Sequence, residues 1–352
     1  MKSKNSFLFI IQGEGRGHLT QAIRLKNILE QNGHNIISVC YGYSPQRKIP
    51  EHIYEVFSKK VVLFRSPNFI RTRNRKGIHL LRSLLYNVLR SFSYIHSVNV
   101  LRNLINSEKP DLVINFYDML GGLAFYFSKR DAVYYCISHH FIFESPRFKA
   151  PEGFLMQKIL FRYHNHLVAL KSEKRLALSF DYQPSFGKTI VLPPLIRSEL
   201  LVGDHKFQDH VLVYLLNEGL SIDLLPVFDK YRKIKFIVFM QSGIDPGVFP
   251  ENVRLHEPGK DDFTRQLLIC SAVISTAGFE TVCEAAFLGK PVFLVPSENH
   301  YEQYGNFEDA RRTGIALSYL SFNPDYISPR ESNDFSEWCM KAEKLFLETL
   351  LP

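Results

Sequence analysis

The sequence predicts an α/β protein made of two parallel-sheet halves in succession. Three observations predict it. Short apolar runs alternate with helical patterns along the chain, as β-α-β units require. The alternation breaks at Pro193-Pro194 and the polar stretch Gly203-Asp204-His205-Lys206, then restarts. The chain has 352 residues, too many for one ordinary core and suited to two. We place a first Rossmann-like domain at 1–200 and a second at 201–334, facing each other across a cleft. A last helix at 335–352 is expected to pack back toward the first domain.

In the first half, Ser6 to Gln12 reads as a buried strand, Leu19 to Gln31 as a helix ended by Gly33, and Asn35 to Cys40 as a second strand. Val61 to Phe64 is short and extended. His79 to Asn106 reads as one long helix. Its Leu80, Leu81, Leu84, Leu85, Val88, Leu89, Phe92 and Ile95 fall on one face, which is expected to join the domain core. Leu112 to Asn115, Ala132 to Ile137 and Thr189 to Leu192 are further strands. In the second half, strands fall at Val211 to Leu216, Lys235 to Met240, Ala272 to Ser275 and Pro291 to Val295. Helices fall at Phe263 to Ile269, Phe279 to Leu288, Glu302 to Arg312 and Ser336 to Thr349.

Composition narrows the class. Apolar residues make up 45% and charged residues 22%, the balance of a globular protein rather than a disordered or fibrous one. Five cysteines (Cys40, Cys136, Cys270, Cys283 and Cys339) form no C-x-x-C pair, so free thiols in a reducing compartment are expected. His164 and His166 have no partner pair at zinc-ligand spacing. The apolar run Phe7 to Ile11 is too short for a signal sequence, and no stretch reaches the length of a spanning helix. Charge is uneven. Residues 1–200 hold 29 Lys and Arg against 13 Asp and Glu, within a total of 43 against 35. The basic half should meet something anionic.

Two glycine-bearing turns carry the chemistry. Gly13-Glu14-Gly15-Arg16-Gly17-His18 joins the first strand to the first helix, where a parallel sheet places its ligands. It lacks the Lys-Ser/Thr of a Walker loop and the spacing of a dinucleotide fingerprint. Ser275-Thr276-Ala277-Gly278 again opens a helix, whose free N–H groups and dipole suit an anion. Glu284 lies on that helix, where a carboxylate can accept from two ribose hydroxyls. The polar loop Pro296 to Gln303 follows the next strand. Together the turns suggest a phosphorylated ligand held between two domains.

These residues resemble those of inverting nucleotide-sugar glycosyltransferases of the glycosyltransferase-B fold. The match is to bacterial and archaeal relatives of MurG and, more distantly, to UDP-glucuronosyltransferases. It rests on Gly13-x-Gly15-Arg16-Gly17-His18 with Ala22, and on Ser275-Thr276-Ala277-Gly278-Phe279-x-Thr281-x-x-Glu284-Ala285 through Gly289-Lys290-Pro291 to Glu302-Gln303 and Asn306. The resemblance implies that Thr276, Ala277 and Gly278 cradle a diphosphate. It implies that Glu284 holds the ribose, that Glu302 and Gln303 hold the sugar, and that Phe263 with Pro258-Gly259-Lys260 forms part of the base pocket. His18 would be the general base for the acceptor hydroxyl. Asp118, one hundred residues on, would orient His18, or else simply cap the helix that follows it. His139-His140 would line the acceptor cleft or form a polar rim.

The donor is expected to be a UDP-sugar and the acceptor a glycan or lipid-linked hydroxyl in cell-envelope synthesis. No Asp-x-Asp motif is present, so no metal and no other cofactor is expected. The cluster Arg71, Arg73, Arg75 and Lys76 is expected to touch an anionic membrane from the cytoplasmic side, and no nucleic-acid motif accompanies it. A nucleotide-sugar hydrolase, an epimerase or a non-catalytic binder on the same fold are the competing readings.

Overall fold

A computed structural model describes residues 4–45, 49–57, 61–129, 131–201, 207–241, 243–257, 260–327 and 334–351. The polar boundary Gly203 to Lys206 and the turn residues Pro258 and Gly259 lie outside them.

Among the described residues the strands form two wholly parallel sheets. The first holds β1 (Ser6–Ile11), β2 (Asn35–Tyr43), β3 (Val61–Arg65), β4 (Leu112–Phe116), β5 (Val133–Ile137), β6 (Lys174–Leu178) and β7 (Thr189–Leu192), in the order β3-β2-β1-β4-β5-β6-β7. The second holds β8 (His210–Tyr214), β9 (Lys235–Phe239), β10 (Val253–His256), β11 (Ala272–Ser275), β12 (Val292–Leu294) and β13 (Ala316–Ser318), in the order β10-β9-β8-β11-β12-β13. The central strands are mostly apolar because helices cover both faces. Phe7, Leu8, Phe9, Ile10 and Ile11 of β1 have no exposed surface.

Strand order reverses between β1 and β4 and between β8 and β11, so a crevice opens beyond the carboxyl ends of both pairs. Helix α1 (Gly17–Gln31) starts at the first crevice. The first half continues with α2 (His52–Val56), α3 (Leu80–Leu89), α4 (Ser91–Glu108), α5 (Met119–Tyr126) and α6 (Leu155–Val168). The second half carries α7 (Leu225–Lys230), α8 (Lys260–Ile269), α9 (Phe279–Phe287), which starts at the second crevice, and α10 (Tyr301–Arg312). Of the last helices, α11 (Asp334–Met340) packs against α9 and α12 (Ala342–Leu350) against β7. Trp338 Nε1 donates to Ser179 O at 3.1 Å, and Glu343 stands 3.7 Å from Arg24. All five cysteines are free and buried.

Two elements differ from their sequence reading. The single last helix expected over Ser336 to Thr349 is two, α11 and α12, parted at Lys341. The long helix expected over His79 to Asn106 is also two helices, broken at Arg90, whose φ of −105° and ψ of 8° leave the helical region. The apolar face is there, but it is not core. Leu81 and Leu89 are each 74% exposed and Phe92 is 85% exposed. Helix α4 reaches the core later, through Leu101, Leu104 and Ile105, whereas α3 buries only Ser83. Periodicity reported the stripe correctly and could not report what covers it.

Candidate active site

The two crevices merge into one cavity of about 1110 Å³. It reaches from Thr276 and Phe263 past His18 to an apolar mouth formed by Val88, Ile95, Leu123 and Leu160.

Each glycine of the first turn has a different reason. A Cβ on Gly13 would sit 1.7 Å from Gly42 O, so the turn must press against the end of β2. A Cβ on Gly17 would sit 2.9 Å from Glu280 Cγ, which brings α1 against α9. Gly15 faces open space. Arg16 is the N-cap residue of α1 and is exposed. His18 follows as the second residue of the helix. Its Nδ1 is buried without a hydrogen-bond partner, although the ring edge reaches the cavity. Burial, helped by His140 and His164, lowers its pKa to about 3, while Glu302 and Gln21 pull the other way. At neutral pH the imidazole is therefore uncharged, the form a base needs, while a pKa this low also makes it a weak proton acceptor.

Around His18 stands an aromatic stack. Tyr117 lies 4.0 Å from His140 and 4.9 Å from His164, centroid to centroid, with near-parallel rings. Its φ of 66° is a strained value for tyrosine, and Tyr117 Oη donates to Asn165 Oδ1 at 2.5 Å. Ser138 Oγ is 2.6 Å from His140 Nδ1, and His140 Nε2 reaches across the cleft to Glu302 Oε1 at 3.1 Å. Burial alone would raise Glu302. His140 and the hydrogen bond it gives, with His300 and His18 beyond, instead hold the carboxyl below its usual range. His139 stacks on Phe279 at 3.9 Å, against the start of α9.

Asp118 makes no hydrogen bond with His18. It caps α5, accepting from Leu120 N at 2.8 Å and Gly121 N at 3.3 Å, and its other oxygen accepts from Ser66 Oγ at 2.6 Å. The spacing of one hundred residues that linked it to His18 is the spacing of β4's end, where a helix needed its cap.

On the other wall, Thr276 N donates to Tyr214 O at 3.1 Å, and Ala277 O accepts from Asn306 Nδ2 at 2.9 Å. Gly278 caps α9 without a side-chain bond, and a Cβ there would meet nothing within 4 Å. The first-turn N–H groups of α9 therefore have room for an anion. Glu284 is fully buried, and Arg197 holds both its oxygens, Nε to Oε1 at 2.5 Å and Nη2 to Oε2 at 2.6 Å. Arg197 Nη1 also donates to Thr264 Oγ1 at 2.9 Å, and its guanidinium lies 5.8 Å from the Phe263 ring. Gln303 Oε1 accepts from Ser297 N at 2.8 Å, which fixes the loop before α10. Among the described residues no three His, Cys, Asp or Glu side chains converge as metal ligands.

The basic loop is a strap across the cleft rather than a free patch. Arg71 Nη1 and Arg75 Nη1 reach the two oxygens of Glu218 at 3.0 and 3.2 Å, and Lys76 Nζ reaches Asp223 Oδ1 at 2.5 Å. Glu298 N donates to Lys76 O at 3.0 Å. Arg73 stays exposed. Residues that sequence reasoning missed include Gln21, Glu280 and Arg197. Gln21 Nε2 donates to Glu280 Oε1 across the cleft through a short hydrogen bond. Glu280 stood in the second motif as an unassigned position, and Arg197 follows the proline break.

The family described as glycosyl transferase family 1 matches residues 5–328. An uncharacterized glycosyltransferase of Methanosarcina acetivorans is 24% identical over 96% of this chain and 92% of its own length. MurG of Acinetobacter baumannii superposes with a TM-score of 0.56 at 15% identity, covering 99% of both chains. UDP-GlcNAc 2-epimerase from Neisseria meningitidis superposes with a TM-score of 0.58 at 17% identity, covering 98% of this chain and 99% of the other. The structures share the fold, two Rossmann-like domains around a cleft.

Proposed function

The chain belongs to glycosyl transferase family 1 and is a glycosyltransferase of the GT-B type; from that premise we propose that it moves a hexosyl group from a UDP-sugar to a lipid-linked hydroxyl, with inversion and without metal. The observation that carries this reading is the placement of His18, neutral, opposite the open N-terminus of α9 in one cavity. In the reaction His18 takes the acceptor proton as the hydroxyl oxygen attacks the anomeric carbon. The bond from that carbon to the diphosphate breaks, and its electron pair leaves with UDP. Attack on the face opposite the diphosphate inverts the centre. Thr276, Ala277 and Gly278, with the start of α9, hold the diphosphate and offset its growing charge. Glu302 and Gln303 border the sugar. Glu284 is assigned to the ribose through the resemblance alone; it has no exposed surface and does not border the cavity, so it would act there through Arg197, which does.

The apolar stripe supports a lipid-linked acceptor. Leu81, Leu85, Leu89 and Phe92 on α3 and α4, with Leu155, Met156 and Ile159 on α6, are large and exposed beside the cavity's apolar mouth. Exposed Arg82 and Arg162 flank them. Such a surface suits the anionic inner leaflet and an envelope glycan or glycolipid built there. Among the described residues no helix is long and apolar enough to cross a membrane. Neither hydrolysis nor epimerisation requires such a mouth, so it favours the transfer reading. The test is UDP release from UDP-sugars with and without detergent-dispersed lipid-linked acceptors. Release that needs acceptor supports transfer; equal release in both assigns hydrolysis instead.

A further inference from the structure

Asp118, the carboxylate expected to orient His18, and Glu302, the carboxylate facing it, are both occupied. Asp118 caps α5, and Glu302 takes the hydrogen bond from His140. Yet one acid does reach α1. Glu280, on the first turn of α9, is buried; its Oε1 accepts from Gln21 Nε2, and its Oε2 has no hydrogen-bond partner. Gln21 lies three residues after His18, on the same helix face. Its own Oε1 is buried and without a hydrogen-bond partner, as is His18 Nδ1. Gln21 is close enough to His18 to oppose the lowering of its pKa by burial. The close approach is built in: any side chain at position 17 would strike Glu280.

We infer that Glu280, acting through the side-chain amide of Gln21, orients His18, so that the donor-side half of the molecule sets the base on the acceptor-side half. An amide whose N–H donates to a carboxyl turns its carbonyl the other way, toward an imidazole N–H, and so selects one tautomer. Polarisation along the chain strengthens the second bond when the first meets a charge. Gln21 and Glu280 are positioning residues and touch no reacting atom. The charged and titratable groups around Glu280 are Glu284 and Cys283 on its own helix, Arg197, and Cys339 of α11. Those around His18 are His140, His164, Tyr117 and Glu302. Burial holds Glu280 up at about 8, so it ionises on the alkaline side of neutrality, where none of the histidines lowered by burial titrates.

The inference rests on His18 as the base, and its test is separable from that reading. Long-range nitrogen–proton NMR on the histidine-labelled full chain reads the His18 ring directly, with its signals assigned by their loss in His18→Gln. The expected result is one neutral tautomer whose nitrogen shifts move between pH 7 and 9 with a midpoint near 8. That movement disappears in Glu280→Gln, which keeps the shape of the side chain, and in Gln21→Met. Turnover in both variants falls about 10-fold, less than the 10²–10⁴ that a whole base supplies. A wild-type His18 insensitive to pH from 7 to 9, or the same titration in Glu280→Gln, overturns the inference while leaving the base reading intact. Full turnover in His18→Ala with the NMR coupling present would remove the base reading and leave the orientation standing.

Discussion

Arg197 grips Glu284 with two parallel hydrogen bonds, Nε to Oε1 at 2.5 Å and Nη2 to Oε2 at 2.6 Å, across 87 residues of sequence. The acid assigned to the donor ribose is thus already half satisfied. Glu284 has no exposed surface and does not border the cavity, whereas Arg197 does, so a nucleotide in the cavity meets Glu284 through Arg197. Glu284→Gln keeps the shape and loses the charge. It should weaken UDP affinity about tenfold, near the 1.5 kcal/mol of one hydrogen bond to a charged group. Glu284→Ala leaves Arg197 unpaired and should also cost about 3 kcal/mol of stability. Calorimetric titration with UDP and urea unfolding measure the two effects. Unchanged UDP affinity in both variants would move the ribose elsewhere.

The exposed stripe gives the membrane prediction, in place of the basic strap. Leu85→Ser with Phe92→Ser changes two exposed side chains, 62% and 85% accessible, so folding stability should move by less than about 0.5 kcal/mol for each. Co-sedimentation with anionic phosphatidylglycerol vesicles should fall steeply, and wild-type binding should weaken as salt rises. Arg71→Ser with Arg75→Ser should instead free Glu218 and leave vesicle binding largely intact. Equal vesicle binding by wild type and the Leu85/Phe92 variant would separate the stripe from any lipid role.

Acid should unfold this protein through its buried histidines. His18 and His139 are lowered to about 3 and His164 to about 4, in each case chiefly by burial. A group with a depressed folded pKa contributes stability above its unfolded value of 6.5, and that stability is lost as pH falls toward 3 to 4. His139 alone accounts for roughly 2–3 kcal/mol between pH 6.5 and 4.5. His139→Phe should therefore flatten the loss of stability over that window, read as urea midpoints at several pH values. A parallel acid slope in the variant would show that His139 is not held neutral.

Chelation should leave most activity in place. The first turn of α9 has no side-chain cap and a glycine facing open space, so backbone N–H groups are available to the diphosphate. Turnover is compared in EDTA and in each of Mg²⁺ and Mn²⁺. Loss in EDTA with rescue by one ion would contradict the assignment.

What could be read from the sequence was what is local. The strands are near-continuous apolar runs, and the two glycine turns stand beside the helices they open. Local pattern also misled where the partner lay far away. Arg71, Arg75 and Lys76 looked free because Glu218 and Asp223 are more than 140 residues distant. The stripe on α3 and α4 looked like core because a helical period identifies a face and not its neighbour. Asp118 looked like a catalytic partner because a cap and an active-site acid both follow a strand. Gln21 and Glu280 were invisible because one ordinary residue in each motif becomes meaningful only when α1 meets α9.

The central claim is that His18 is the base, and turnover of His18→Ala against its affinity for UDP tests it most directly. Removing the imidazole should lower acceptor-dependent turnover by about 10²–10⁴, the contribution of a general base, while UDP affinity stays near wild type. The base stands on the acceptor wall, and the nucleotide is assigned to α9 and Glu284 on the other. Retained turnover with unchanged UDP affinity would contradict the account and place the base at another side chain of the cleft.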